Sequence, residues 1–209
     1  MVGRIITSGA CLAEGAEWLA TREPRFADVL ARTGPLPLRL RPGGYPALLD
    51  AIVSQQVSRA SADAIWARLA AAGLTSADAV AGADEVALRA CGLSRPKMRY
   101  AVAVAQAGLD YEALAGLPTD EVITRLTALP GIGRWTAEIY AMFSLGRADV
   151  FAPGDLALQE AARLLFDLHA RPTEREFRAM AEAWSPWRSV AARALWAYYR
   201  VVKSREGIR

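Results

Sequence analysis

Residues 128–141 read ALPGIGRWTAEIYA, an apolar run broken by Pro-Gly-Ile-Gly and then resumed. Pro130 cannot continue a helix from the preceding turn, and Gly131 and Gly133 suit tight or left-handed backbone. Helical spacing resumes with Trp135, Ile139 and Met142. The pattern predicts a two-helix hairpin whose corner is stripped of side chains. The first N–H groups of its second helix, from Arg134 to Thr136, have no intrahelical acceptor. With glycines beside them, a phosphate oxygen could approach without meeting a β-carbon, and the helix dipole adds weak attraction. Such a contact grips a nucleic-acid backbone without reading its sequence. For a bare Gly-x-Gly, close packing of two helices is the simpler reading.

Asp155 follows Pro153-Gly154 and opens an apolar periodic segment, Leu156–Phe166. A helix N-cap is the ordinary job of Asp at such a place, and a helix N-terminus favours a negative charge. Asp149, before apolar Val150-Phe151, is the competing acid and suits a cap or a loop tether. Trp135 shares a stripe with Ile139 and Met142, which a place in the core would explain. Trp196 differs. At about 100° per residue it lies opposite the stripe from Trp187 to Tyr198, beside Ala192, Arg193 and Arg200. A large indole on that polar face needs a second contact surface.

The stretch SQQVS at 54–58 interrupts apolar Ile52-Val53 with Gln55 and Gln56, and a turn with Ser58 capping the next helix accounts for it. Arg95, Lys97 and Arg99 form a basic cluster that reads as solvated charge first and phosphate contact second. Arg188 reads as half of a structural charge pair whose partner the sequence does not name.

The elements that must position these residues are helical, because nearly every segment has helical period and strand signals are poor. Helices are expected near 10–21, 24–32, 46–54, 58–71, 76–82, 84–90, 96–108, 119–129, 134–145, 155–166, 173–183 and 187–203. The fold class is all-α. Linkers at 33–45 and 147–154, rich in Gly and Pro or short polar residues, suggest a central lobe, 46–146, and a second lobe formed by 1–45 with 147–209.

The 209 residues, 53% hydrophobic, suffice for one domain or two small lobes with a sizeable core. A net charge of +3 is compatible with nucleic acid. All but two of the 25 basic residues are Arg, a residue suited to phosphate, although a GC-rich genome explains this more simply. Cys11 and Cys91 are the only cysteines. They cannot supply an all-cysteine iron–sulfur cluster within one chain, which needs four thiolates, nor a disulfide framework. The first twenty residues include Glu14 and Glu17 and no long apolar core. No signal peptide or membrane span is expected, and a reducing cytoplasm is the default compartment.

Five ordered blocks carry a family resemblance: AIVSQQVS at 51–58, GLSRPKMRY at 92–100, LxxLPGIGRWTA at the hairpin, DVFAPGDLALQ at 149–159 and PWRSVAARALW at 186–196. Together they resemble the helix-hairpin-helix DNA glycosylases with a Gly/Pro-rich loop and an aspartate, of the 3-methyladenine DNA glycosylase II type. The resemblance implies two helical lobes with an active-site cleft between them, and a monomer acting on double-stranded DNA that contains a damaged base. It makes Asp155 the catalytic carboxylate and assigns Trp135, Trp196, Ile139 and Tyr140 to a base pocket. Ile139 stands where the best-known member has a tyrosine. Gln56 matches the wedge that fills the gap left by the flipped base, with Gln55 beside it. Gly131, Ile132, Gly133, Arg134, Thr136 and Lys97 are implied as contacts to the DNA backbone.

The carbonyls of Thr127, Leu129 and Gly131 match a monovalent-cation site, for Na or K; no other cofactor is implied. The lysine of the strand-nicking branches is replaced by Trp135, so the resemblance implies a monofunctional hydrolase of alkylated purines. Action on hypoxanthine or another modified base is the alternative within that fold, and a non-catalytic DNA-binding module the alternative outside enzymes. The resemblance covers most of 45–200, so the best-known member's N-terminal sheet domain is expected to be missing or much reduced.

Overall fold

Side-chain caps set where the helices begin. Ser8, Ser58, Ser76, Asp84, Asp110 and Asp155 each accept a backbone N–H of the helix that follows. Thr173 forms a reciprocal capping box with Glu176. Pro24, Pro46 and Pro96 stand in first turns, where no helical N–H partner is lost. The computed structural model describes residues 2–206. It has thirteen α-helices and one 3-10 turn among them, with no strand. The expected all-α class is observed.

The chain divides into two units. The first runs from Arg41 to Tyr140. Its helices are Tyr45–Ser54, Arg59–Ala71, Ala77–Ala81, Glu85–Ala90, Arg95–Gln106, Tyr111–Ala115, Thr119–Thr127 and most of Arg134–Phe143. Leu48, Leu49, Ile52, Leu69, Val80 and Leu126 are fully buried. The Tyr45 hydroxyl donates to the Ala101 carbonyl at 3.1 Å, so this buried phenol is satisfied.

The second unit joins Gly3–Leu40 to the chain from Ala141 onward. Its helices are Gly9–Arg22, Pro24–Thr33, Leu156–Leu165, Glu174–Ala181 and Arg188–Glu206, with the 3-10 turn Glu182–Trp184. Trp184 lies at the centre of an aromatic cluster, edge-on to Phe26 at 5.5 Å and to Phe151 at 5.4 Å, and stacked on Phe166 at 5.9 Å. Gly15 lets the helix Gly9–Arg22 close on Trp187, since a β-carbon there would stand 2.6 Å from the indole. The N-terminal segment ties down the loop that leads to Asp155. Ile6 N–H donates to Gly146 O at 2.7 Å, Ala148 N–H donates to Arg4 O at 3.0 Å, and Ile5 bridges Arg147.

Two local features depart from expectation. The five-residue helix Tyr111–Ala115 is too short to show a period, although Asp110 Oδ1 caps it through the Glu112 and Ala113 N–H groups. The helix expected over 134–145 ends at Phe143.

Candidate active site

Asp155 is the N-cap of the helix Leu156–Leu165. Its Oδ1 accepts the Ala157 N–H at 2.9 Å and the Leu158 N–H at 3.0 Å. The same oxygen accepts the indole Nε1–H of Trp196 at 3.2 Å. Three donors therefore fix a half-buried carboxylate in one orientation. The second contact surface that Trp196 requires is this acid on one edge and Phe143 on a face, the two ring centroids lying 5.8 Å apart. The Asp155 loop is held from below by Gln159, whose side-chain amide donates to Pro153 O at 2.8 Å.

Asp149 is committed elsewhere. It accepts Arg188 Nε at 2.6 Å and Nη2 at 3.2 Å, in a two-pronged pair, and Ser185 Oγ at 2.8 Å. It is a loop tether, and it is the charge partner of Arg188 that the sequence left unnamed.

The two hairpin glycines do different jobs. Gly131 has φ +82, and a β-carbon there would come within 2.5 Å of Tyr100 Cδ2. Packing and conformation both demand glycine at that position. Gly133 has neither need, since a β-carbon there would meet nothing within 4 Å. Its carbonyl accepts the Ala137 N–H at 3.0 Å, opening the helix Arg134–Phe143. Arg134 N–H and Thr136 N–H precede that first bond. Arg134 is exposed and leans on buried Glu138, Nε to Oε1 at 3.1 Å.

The surroundings of Ile132, Lys97 and Tyr140 contradict the roles implied for them, and those of Thr136, Trp135 and Ile139 do not. Ile132 is buried and its N–H already donates to Leu129 O at 3.1 Å, so it anchors the corner and offers no donor to a phosphate. Thr136 is buried, which leaves only its backbone for such a contact. Lys97 is neither solvated nor a phosphate ligand. It is buried, and its Nζ donates to Val53 O at 2.6 Å in the last turn of the helix Tyr45–Ser54. A cation suits a helix C-terminus, and burial pushes this ammonium below its ordinary value. Tyr140 is buried, with its hydroxyl accepting Gly44 N–H at 2.8 Å, so it packs the first unit and has no ring face to offer a base. Trp135 is 47% exposed, which removes the core explanation for it. Ile139 is half-buried on the same helix.

Gln55 and Gln56 also separate. The Gln55 side-chain amide donates to Gly131 O at 2.8 Å, tying its loop to the hairpin corner. Gln56 is exposed and left-handed, with φ +55. A non-glycine residue in that conformation is strained by about 1 kcal/mol.

Arg193, expected on a polar face, is buried. Its Nη1 donates to Ser189 O and Oγ at 3.0 Å, and Nη2 donates to Leu38 O and Met142 O at 3.4 Å. Burial, with a smaller push from Arg39, lowers this guanidinium to about 10.

Two of the three carbonyls implied for a monovalent cation, those of Leu129 and Gly131, keep an acceptor position for one. Gly131 O is engaged by Gln55 and Leu129 O by the Ile132 N–H. Each carbonyl oxygen has two acceptor positions, so both retain one, and neutral oxygens suit such an ion.

Comparison with known proteins accords with this arrangement. The model of the HhH-GPD superfamily, base excision DNA repair proteins, matches residues 49–187, a span that holds Gln56, the hairpin and Asp155. DNA-3-methyladenine glycosylase 1 of Schizosaccharomyces pombe is 33% identical over 161 residues, 73% of this chain and 71% of that protein. A solved DNA-3-methyladenine glycosidase from Bacillus halodurans aligns with a TM-score of 0.81 at 31% identity, covering 89% of each chain. The S. pombe 3-methyladenine DNA glycosylase in complex with abasic DNA aligns with a TM-score of 0.78 at 28% identity, covering 88% of this chain and 95% of that one. With a family model matched over residues 49–187 and a relative 33% identical over most of both chains, the protein belongs to the HhH-GPD superfamily of base excision DNA repair proteins.

Proposed function

We propose that this protein is a monofunctional DNA glycosylase that extrudes an alkylated purine, of the 3-methyladenine or 7-methylguanine class, from duplex DNA and hydrolyses its N-glycosidic bond. The observation that carries the reading is the carboxylate of Asp155, fixed by two helix N–H groups and the Trp196 indole. Capping accounts for the two backbone bonds but not for the indole bond, and a protein that only gripped phosphates needs no carboxylate close to them.

In the reaction, the bond between C1′ and the purine nitrogen breaks and its electron pair leaves with the base. Positive charge develops on the deoxyribose, where a fixed carboxylate stabilises it. Water adds to C1′ and loses a proton, giving an abasic site and the free base. An alkylated purine is already cationic, so it needs little protonation to leave. It also attracts indole faces, a task that suits exposed Trp135 and half-buried Trp196. Trp135 supplies no amine, so no Schiff base forms and the strand is not nicked.

The base must first leave the stack. Strain at exposed Gln56 supports a wedge role, because backbone strain concentrates where a side chain has work to do. Open space at Gly133 supports phosphate contact through the neighbouring N–H groups. A Na or K ion on the carbonyls of Thr127, Leu129 and Gly131 would add positive charge for the same phosphate.

The test is incubation with duplex DNA methylated at purines, followed by chromatography of the freed bases. Release of intact methylated purine, with strands unbroken until alkali is added, is expected. Strand nicking without alkali would overturn the monofunctional reading, and binding without release would leave a DNA-binding module. Release only from hypoxanthine-containing duplex would redirect the substrate assignment.

A further inference from the structure

Arg193 is an expensive residue for its place. It is 2% exposed, and among the described residues none of its partners is a carboxylate. Its Nε is buried without an acceptor. An uncompensated buried cation costs stability, and an apolar side chain of similar volume often does better. Leucine would therefore suit this helix if packing were the only demand.

What the guanidinium holds explains the expense. It lies 4.6 Å above the Phe143 ring. One amino group bonds Met142 O, in the last turn of the helix that Phe143 ends, and Leu38 O in the connector before the first unit. Phe143 is thus fixed both through its ring and through its backbone neighbour. Its ring lies 5.8 Å from Trp196 at an interplanar angle of 31°, and Trp196 donates to Asp155 Oδ1 at 3.2 Å. The contacts form one chain: Arg193, Phe143, Trp196, Asp155.

Resting on the reading of Asp155 as the catalytic carboxylate, we infer that Arg193 is a positioning residue: it fixes the ring against which Trp196 packs, and so holds the indole N–H on the acid. It touches neither substrate nor reacting atoms.

The experiment compares wild type, Arg193→Leu and Arg193→Lys by three readings. These are thermal melting, the Trp196 indole N–H resonance (assigned by its loss in Trp196→Phe), and single-turnover base release beside affinity for abasic duplex. Arg193→Leu is expected to fold. Its indole resonance should move toward the position seen in Asp155→Asn. Base release should slow on the order of tenfold to a hundredfold, as for a displaced catalytic group, with duplex affinity unchanged. Arg193→Lys keeps a cation over Phe143 but loses the fork to two carbonyls, so it should fall between. If the leucine variant does not fold, the lysine variant carries the test by the same readings. A folded variant whose indole resonance and release rate match wild type would overturn the inference, whatever its melting temperature. The resonance needs no turnover. A wild type that frees no base would therefore defeat the glycosylase reading, while the strut is still judged on its own signal.

Discussion

Trp196 donates its indole N–H to the same Asp155 oxygen that accepts two N–H groups of the helix Leu156–Leu165. The acid's orientation therefore depends on two elements distant in sequence. A cap alone would leave the carboxylate free to tilt about its own helix end. The indole removes that freedom and stands beside the acid, so the proposed base platform and the proposed catalytic carboxylate are tied by one hydrogen bond. Under the proposed function, one side chain both orients the acid and offers the stacking surface.

The contrast between the hairpin glycines separates packing from binding. Gly131→Ala forces a left-handed alanine against Tyr100 and should destabilise the protein by about 2–4 kcal/mol. Gly133→Ala places its methyl in open space and should cost about 1 kcal/mol or less. Yet Gly133→Ala should weaken duplex binding, because the methyl occupies the approach to the helix N-terminus. Urea melts and fluorescence anisotropy on the two variants measure both effects.

Gln56 offers a stability gain at a functional loss. Replacing it by glycine relieves a left-handed residue and should raise stability by about 1 kcal/mol. The same change removes the side chain proposed to hold the helix open. Base release from duplex should slow, while release from a substrate whose damaged base is already unpaired should change little. Parallel rate measurements on the two substrates decide it.

Lys97 and Arg134 should differ in salt dependence. Arg134→Ala, if it removes one phosphate contact, lowers the slope of log K against log salt by about 1. Lys97→Met removes a bond to Val53 O inside the protein. It should cost about 1–3 kcal/mol of stability and leave the slope as in wild type. Binding titrations across a range of salt concentrations provide the comparison.

Much of this was readable because it was local. The Asp155 cap and the hairpin corner follow from residue types at adjacent positions. The charge of Lys97 suggests solvent, yet Lys97, Ala101 and Val104 fall on one apolar stripe, and that spacing is the signal of burial. The charges of Arg193 and Arg200 suggest a polar face on the helix Arg188–Glu206, but Arg193 is buried. Ser189, Ala192 and Ala197 are all buried, and so much alanine around a helix is itself a sign of burial on more than one side. The partners of Asp149, Trp196 and Gln55 lie dozens of positions away, and no period in one sequence encodes such pairings.

Cys11 gives a pH-dependent handle outside the proposed site. Hydrogen bonding from Ser8, then Thr7, lowers its thiol from the ordinary 9.0 to about 7. A thiol depressed in the folded state adds stability at high pH, which is lost as pH falls through about 7. Alkylation of Cys11 should show a midpoint near pH 7, and Ser8→Ala should move it upward. Buried Cys91 should stay unmodified in the native protein. Mass spectrometry after timed iodoacetamide treatment reads both.

The central claim is that Asp155 steadies the sugar cation as the base departs. Its most direct test is single-turnover release of methylated purine from duplex DNA by wild type and Asp155→Asn at equal, saturating protein. The asparagine variant should bind the same duplex and release base slower by a factor on the order of a hundred or more. An asparagine variant that binds normally and releases base at the wild-type rate would contradict the account.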